Sequence, residues 1–325
     1  MRRGLILRSP AELPDAVLDA RIARVHAAMG DARLDALLLY TNNTRPAGVS
    51  WLTGFVPYWS EALLVLPRGR PPALVVALTY RVKSWIERTS RVAEVVHSPR
   101  IGLEAARMIA GWKADATVGI ADLDGLSAGI AGDLREGGPR LALGDATALF
   151  AGLRAAADPA EIALAIKAAT IARRALARAS ERRAGLAETL AAVEAEARGL
   201  GAEEVYLAAA PDLARDHRLR RVEGEAALGA RFALRATVAY QGTWIRLLRT
   251  FRRDAGAGAD DGALARMAAA VAELPGARGF SSFSSWLIEG CLIAQPLEPL
   301  LGSRVDEPRT PPPHALVSVQ ASFES

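Results

Sequence analysis

The side chains able to do covalent or metal chemistry are few and scattered in this sequence. One cysteine, Cys291, stands alone in 325 residues, which leaves neither an internal disulfide framework nor a cysteine-based zinc cluster. The histidines, His26, His97, His217 and His314, show no paired metal-ligand spacing. Ser281, Ser282, Ser284 and Ser285 form a cluster, but no G-x-S-x-G elbow and no adjacent histidine accompany it, so a serine hydrolase is not indicated. Ala255-Gly256-Ala257-Gly258 lacks the lysine and the strand–helix setting of a phosphate loop. Forty basic against thirty-six acidic residues leave a net charge of +4. Lysines number three (Lys83, Lys113, Lys167), and the arginines are spread along the chain, which argues against a dedicated nucleic-acid surface. A composition 51% hydrophobic and 23% charged is that of a soluble globular protein. No run approaches the ~18 apolar residues of a membrane span. The start, MRRGLILRSP, is too poor in apolar residues for a secretory signal, and a cytoplasmic location is expected.

Any site must be positioned by an alternating first half and a second half of different character. Leu18, Ile22, Val25 and Met29 make one apolar stripe of a helix that Gly30 is placed to end. Strands are expected at Ala36–Tyr40, Glu61–Leu66, Ala73–Thr79, Ala93–His97, Thr117–Ala121 and Arg140–Leu143, with helices between them. Such alternation predicts a mixed sheet covered by helices. Asp158-Pro159-Ala160-Glu161 is a capping box with proline in the first turn, opening a helix to about Ala179. A second helix spans Leu186–Leu200. Strands follow at Glu203–Ala208, Arg231–Tyr240 and Thr243–Phe251, the last two joined by a Gln241-Gly242 hairpin turn. A helix over Ala263–Glu273 and a strand over Ala315–Phe323 complete the expectation.

Three segments resemble one family. Leu153–Ala179 is similar to the R-x-x-K-x-P-x-E-I-x-x-I linker and helix of the creatinase/aminopeptidase P group, with Arg154, Pro159, Glu161, Ile162 and Ile166 in place. Ser50-Trp51-Leu52-Thr53-Gly54-Phe55 resembles the Y-L-T-G-F turn of that group's N-terminal domain. Tyr240–Trp244 and Arg249-Thr250-Phe251 resemble its D-x-G-x-x-Y-x-G-Y-x-S-D-x-T-R-T-F hairpin. The resemblance implies an α/β (α+β) protein with a creatinase-like mixed-sheet domain at 1–152. A pita-bread domain would follow at 153–325, shortened at its C-terminus so that the chain ends before the family's last ligand strand.

The same resemblance allows the family's metal chemistry to be checked position by position. Two hairpin aspartates, eleven residues apart, hold divalent metals in the metallopeptidases; here the positions are Arg235 and Arg246. A guanidinium has no lone pair to offer a cation and is always charged. The family's metal histidine falls at Cys291, its later catalytic histidine at Glu298, and a ligand glutamate at Gln320. The resemblance therefore implies that the metal ligands are lost, with no cofactor and no metal expected.

As bare sequence, Arg235 and Arg246 are solvated residues of an edge hairpin. Placed by the resemblance, they face the former metal cavity and suit an anion, because guanidinium pairs bidentately with carboxylate or phosphate. Arg249, Cys291, Gln320 and the aromatic Tyr58 and Trp59 join them as candidate ligand-binding residues. The leading expectation is a metal-free pseudoenzyme, a homodimer with an arginine-lined site for a small anionic molecule or peptide. It has no membrane role and no specific nucleic-acid partner. An alternative is a metal-independent, creatinase-like hydrolase of a small amide or amidine carboxylate, with His217 moving the proton and Glu298 assisting. A protein-interaction module is the third.

Overall fold

The computed structural model describes residues 8–43, 45, 47–57, 59–181, 185–222, 224–253, 265, 269, 285–290 and 316–322. The chain divides into two compact units, Met1–Ala155 and Ala156–Ser325.

In the first unit the elements are α1 (Asp15–Asp31), β1 (Ala36–Asn42), α2 (Ala47–Thr53), β2 (Glu61–Pro67), β3 (Ala73–Val76), α3 (Lys83–Thr89), β4 (Glu94–His97), α4 (Ile101–Trp112), β5 (Thr117–Ala121), α5 (Ala128–Gly137), β6 (Ala142–Asp145) and α6 (Thr147–Arg154). The strands form one six-stranded sheet in the order β4-β3-β2-β1-β5-β6. β1, β2 and β3 pair antiparallel, whereas β3–β4, β1–β5 and β5–β6 pair parallel, so the sheet is mixed, as the alternation predicts. Helices cover both faces. Leu37, Leu39, Leu64 and Leu74 pack with Val25, Trp51, Ile86 and Phe150, while Leu38, Leu63, Val65 and Val75 pack with Ile101, Ile109, Ile130 and Leu134. Burial on both faces is why these strands read as continuous apolar runs and not as an alternation.

Two local details differ from expectation. Gly30 lies inside α1, which ends at Asp31 and is closed by Arg33; this residue, three beyond Gly30, has a φ of +54° and takes the left-handed position. The Leu34 N–H bonds to the Met29 carbonyl and the Arg33 N–H to that of Gly30, a Schellman closure in which Arg33 stands where glycine is usual. The segment expected as a turn at Ser50–Phe55 is largely the helix α2. It ends where Gly54 turns to a φ of +77° and the Thr53 hydroxyl accepts the Phe55 N–H.

The second unit opens with α7 (Pro159–Ala177), α8 (Leu186–Gly199), β7 (Glu204–Ala210), β8 (Arg231–Tyr240) and β9 (Thr243–Arg252). Both bonds of the capping box form: the Glu161 N–H donates to Asp158 Oδ1 at 2.9 Å, and the Asp158 N–H to Glu161 Oε2 at 3.2 Å. β7, β8 and β9 make an antiparallel sheet in that order. One face is apolar, with Phe232, Leu234, Ala236, Val238 and Phe251 packed on Ile171, Leu176, Leu186 and Val193 of α7 and α8. Further along, β10 (Ser285–Gly290) and β11 (Val317–Ser322) pair antiparallel. The helix expected over Ala263–Glu273 lies outside the described residues, 265 and 269 excepted.

Candidate functional site

The β8–β9 hairpin carries the two arginines singled out in the sequence. Tyr240 pairs with Thr243, leaving a two-residue turn whose Gln241 (φ +47°) and Gly242 (φ +76°) are both left-handed. That is the type I′ signature, whose twist matches the flanking strands. The Gly242 N–H donates to Glu203 Oε2 at 3.1 Å and ties the turn to the start of β7. From the turn the register runs unbroken to Arg231 opposite Arg252, so each side chain's face follows from strand alternation.

Rows across the sheet then define a polar face. Tyr206, Thr237 and Arg246 lie in one row; Ala208, Arg235 and Leu248 lie in the next. Arg235 and Arg246 are therefore diagonal neighbours on one face, about 7–8 Å apart at the backbone. This face is the reverse of the one packed on α7 and α8. Arg246 is 8% exposed and its Nε–H reaches Thr237 Oγ1 at 3.4 Å; Arg235 is half-buried. Toward the turn, Glu204, Ala239 and Trp244 form the adjoining row. Trp244 stacks on Tyr206 with ring centroids 5.7 Å apart. Its ring is 2% exposed, and its indole N–H has no hydrogen-bond partner.

Arg249 does not join this pair. It lies opposite Leu234, three residues from Arg246 and so on the other face, exposed, with its guanidinium 5.9 Å from the Phe251 ring. Odd spacing along a strand reverses the face, a signal already present in the sequence. His217 is exposed in the β7–β8 connection. Its neighbours Asp216 and Arg218 pair at 3.0 Å, and that bond holds the Asp216 carboxyl down at about 2. Trp59, in the first unit, is 59% exposed and stacks on Trp85 at 5.1 Å. Gln320 stands mid-way along β11, opposite Leu287. Tyr58, Cys291 and Glu298 lie outside the described residues.

The donor set of the polar face does not suit a divalent metal. Its centre offers two permanent cations and a threonine hydroxyl. The carboxylate of Glu204 belongs to the row by the turn, two strands across from Trp244, and its Oε2 lies 3.9 Å from the Arg198 guanidinium. Hard cations require several oxygen ligands and carboxylate charge to neutralise them. Among the described residues, no three of His, Cys, Asp and Glu gather into a metal-binding cluster.

Residues 21–156 match the family model described as Creatinase/Prolidase N-terminal domain. This region is similar to the N-terminal domain of creatinases and prolidases. The prolidase from Pyrococcus horikoshii OT3 superposes with a TM-score of 0.64 at 15% identity, covering 93% of this chain and 94% of that one. A dipeptidase PepE from Mycobacterium ulcerans gives 0.58 at 17% identity, over 95% and 94%. An X-Pro aminopeptidase from Thermotoga maritima MSB8 gives 0.60 at 16% identity, over 76% and 68%. At these identities the structures share the prolidase, or pita-bread, fold with this chain. A comparison with the curated proteins finds no match. Among the described residues no helix is long and apolar enough to cross a membrane.

Proposed function

We propose that this chain is a metal-free pseudoenzyme of the creatinase/aminopeptidase P group whose arginine-lined sheet face binds a small anionic molecule or peptide. The observation that carries the reading is the pairing of Arg235 and Arg246 on one face of the hairpin, where its metallopeptidase relatives are expected to present carboxylates. Two fixed positive charges there repel a divalent cation and attract an oxyanion, and a guanidinium fork matches a carboxylate bidentately. Partial burial strengthens the attraction, because water screens it less. On this reading the chain acts as a cytoplasmic homodimer.

The reading is tested by incubating purified protein with Mn²⁺ or Zn²⁺, exchanging the buffer and measuring bound metal together with Xaa-Pro dipeptide cleavage. It predicts neither stoichiometric metal nor cleavage. Two equivalents of metal per chain accompanied by Xaa-Pro turnover overturn it.

A further inference from the structure

The indole N–H of Trp244 is a buried donor with no acceptor, on the same sheet face as both arginines. A tryptophan N–H can only donate, and when buried it normally finds a partner. Trp244 precedes Arg246 by two residues, so their backbones are about 6.6 Å apart along β9 with both side chains on one side. An oxyanion bridging the two is within reach of each. We infer that Trp244 is the third donor of the anion site, and that the ligand is a planar monocarboxylate; the inference rests on the anion-binding reading above.

Two features select that class. First, Tyr206 and Trp244 form a stacked aromatic pair beside Arg246, with an interplanar angle of 28°. A flat carbon framework bearing a carboxylate can lie along this pair while its oxygens meet the indole N–H and the guanidinium. Secondly, Trp244 and Arg246 are 2% and 8% exposed, so a ligand reaching them gives up its water. A carboxylate monoanion loses less hydration on entering than a phosphate dianion does.

The probes are benzoate and inorganic phosphate, titrated calorimetrically into the full chain, its Trp244→Phe variant and its Arg246→Gln variant. Benzoate is expected to bind the parent protein more tightly than phosphate. Trp244→Phe keeps an aromatic ring without the donor and is expected to weaken benzoate at least ~10-fold, the value of one hydrogen bond to a charged group. Arg246→Gln is expected to abolish binding. A second readout does not depend on the variant's stability: in ¹⁵N-indole spectra of the parent, the Trp244 N–H signal, identified by its loss in Trp244→Phe, moves downfield on adding benzoate. If Arg246→Gln abolishes binding while Trp244→Phe does not weaken it and the indole signal stays put, the role of Trp244 is refuted and the arginine site stands. If phosphate binds more tightly than benzoate, the carboxylate assignment fails. If neither anion binds the parent protein, the arginine site falls as well.

Discussion

The two main sheets of this chain differ in what their second face is made of. The six-stranded sheet of the first unit is covered on both faces, and β1 and β2 are apolar at nearly every position. The three-stranded sheet of the second unit is apolar where it meets α7 and α8; its reverse carries Arg235, Thr237 and Arg246 beside a small aromatic cluster of Tyr206 and Trp244. A sheet buried on both sides has no position to spare for chemistry, since a polar group there costs more than it returns. A sheet whose second face is polar can carry charge there without losing its core, even with Thr237, Arg246 and Trp244 themselves buried. The difference separates the residues that hold this protein together from those available to act.

Substitutions can break or sharpen that contrast. The largest loss of stability is expected from Leu64→Ala, fully buried in the first sheet: about 2–5 kcal/mol, read from the shift in denaturant midpoint. Anion binding at the second sheet should survive in whatever fraction stays folded. Arg246→Gln should do the reverse, abolishing benzoate binding with a smaller shift in midpoint than Leu64→Ala. Equal loss of stability in the two variants would mean that the arginine face is also structural core. Asp158→Ala removes the α7 cap and is expected to cost about 1 kcal/mol without changing ligand affinity, because α7 supports the sheet from its apolar side.

The smallest effect concerns His26 in α1. Burial disfavours its imidazolium and sets its pKa below the ordinary 6.5. The unfolded chain then takes up the proton more readily than the folded one. No penalty applies above 6.5, and stability falls as pH drops from there through the lower folded value. His26→Gln should flatten that part of the profile in urea titrations between pH about 8 and about 5. A profile unchanged by the substitution would assign the acid sensitivity to other groups.

Much of this organisation is legible in the residues themselves. β8 occupies Arg231–Tyr240 as its pattern indicates, because its apolar alternate positions and the Gln241-Gly242 turn agree on one register. The capping box at Asp158 is a local device and forms as written. What escapes sequence reading is tertiary. Nothing local marks Arg33 rather than Gly30 as the end of α1, since the Schellman bonds depend on where the chain must turn next. Arg249 is grouped with Arg235 and Arg246 by motif, yet strand parity places it on the opposite face. Trp244 is read in the sequence only as part of the hairpin motif, because its further significance is a missing acceptor, visible only once its neighbours are in place.

The central claim is that two arginines have turned a metal position into an anion site. One calorimetric comparison tests it most directly: benzoate and Mn²⁺ titrated separately into the same protein, and into an Arg235→Gln/Arg246→Gln double variant. The account predicts one benzoate per chain in the parent protein, none in the double variant, and no saturable heat from Mn²⁺ in either. Two equivalents of Mn²⁺ bound by the parent protein, with no heat from benzoate, would contradict it.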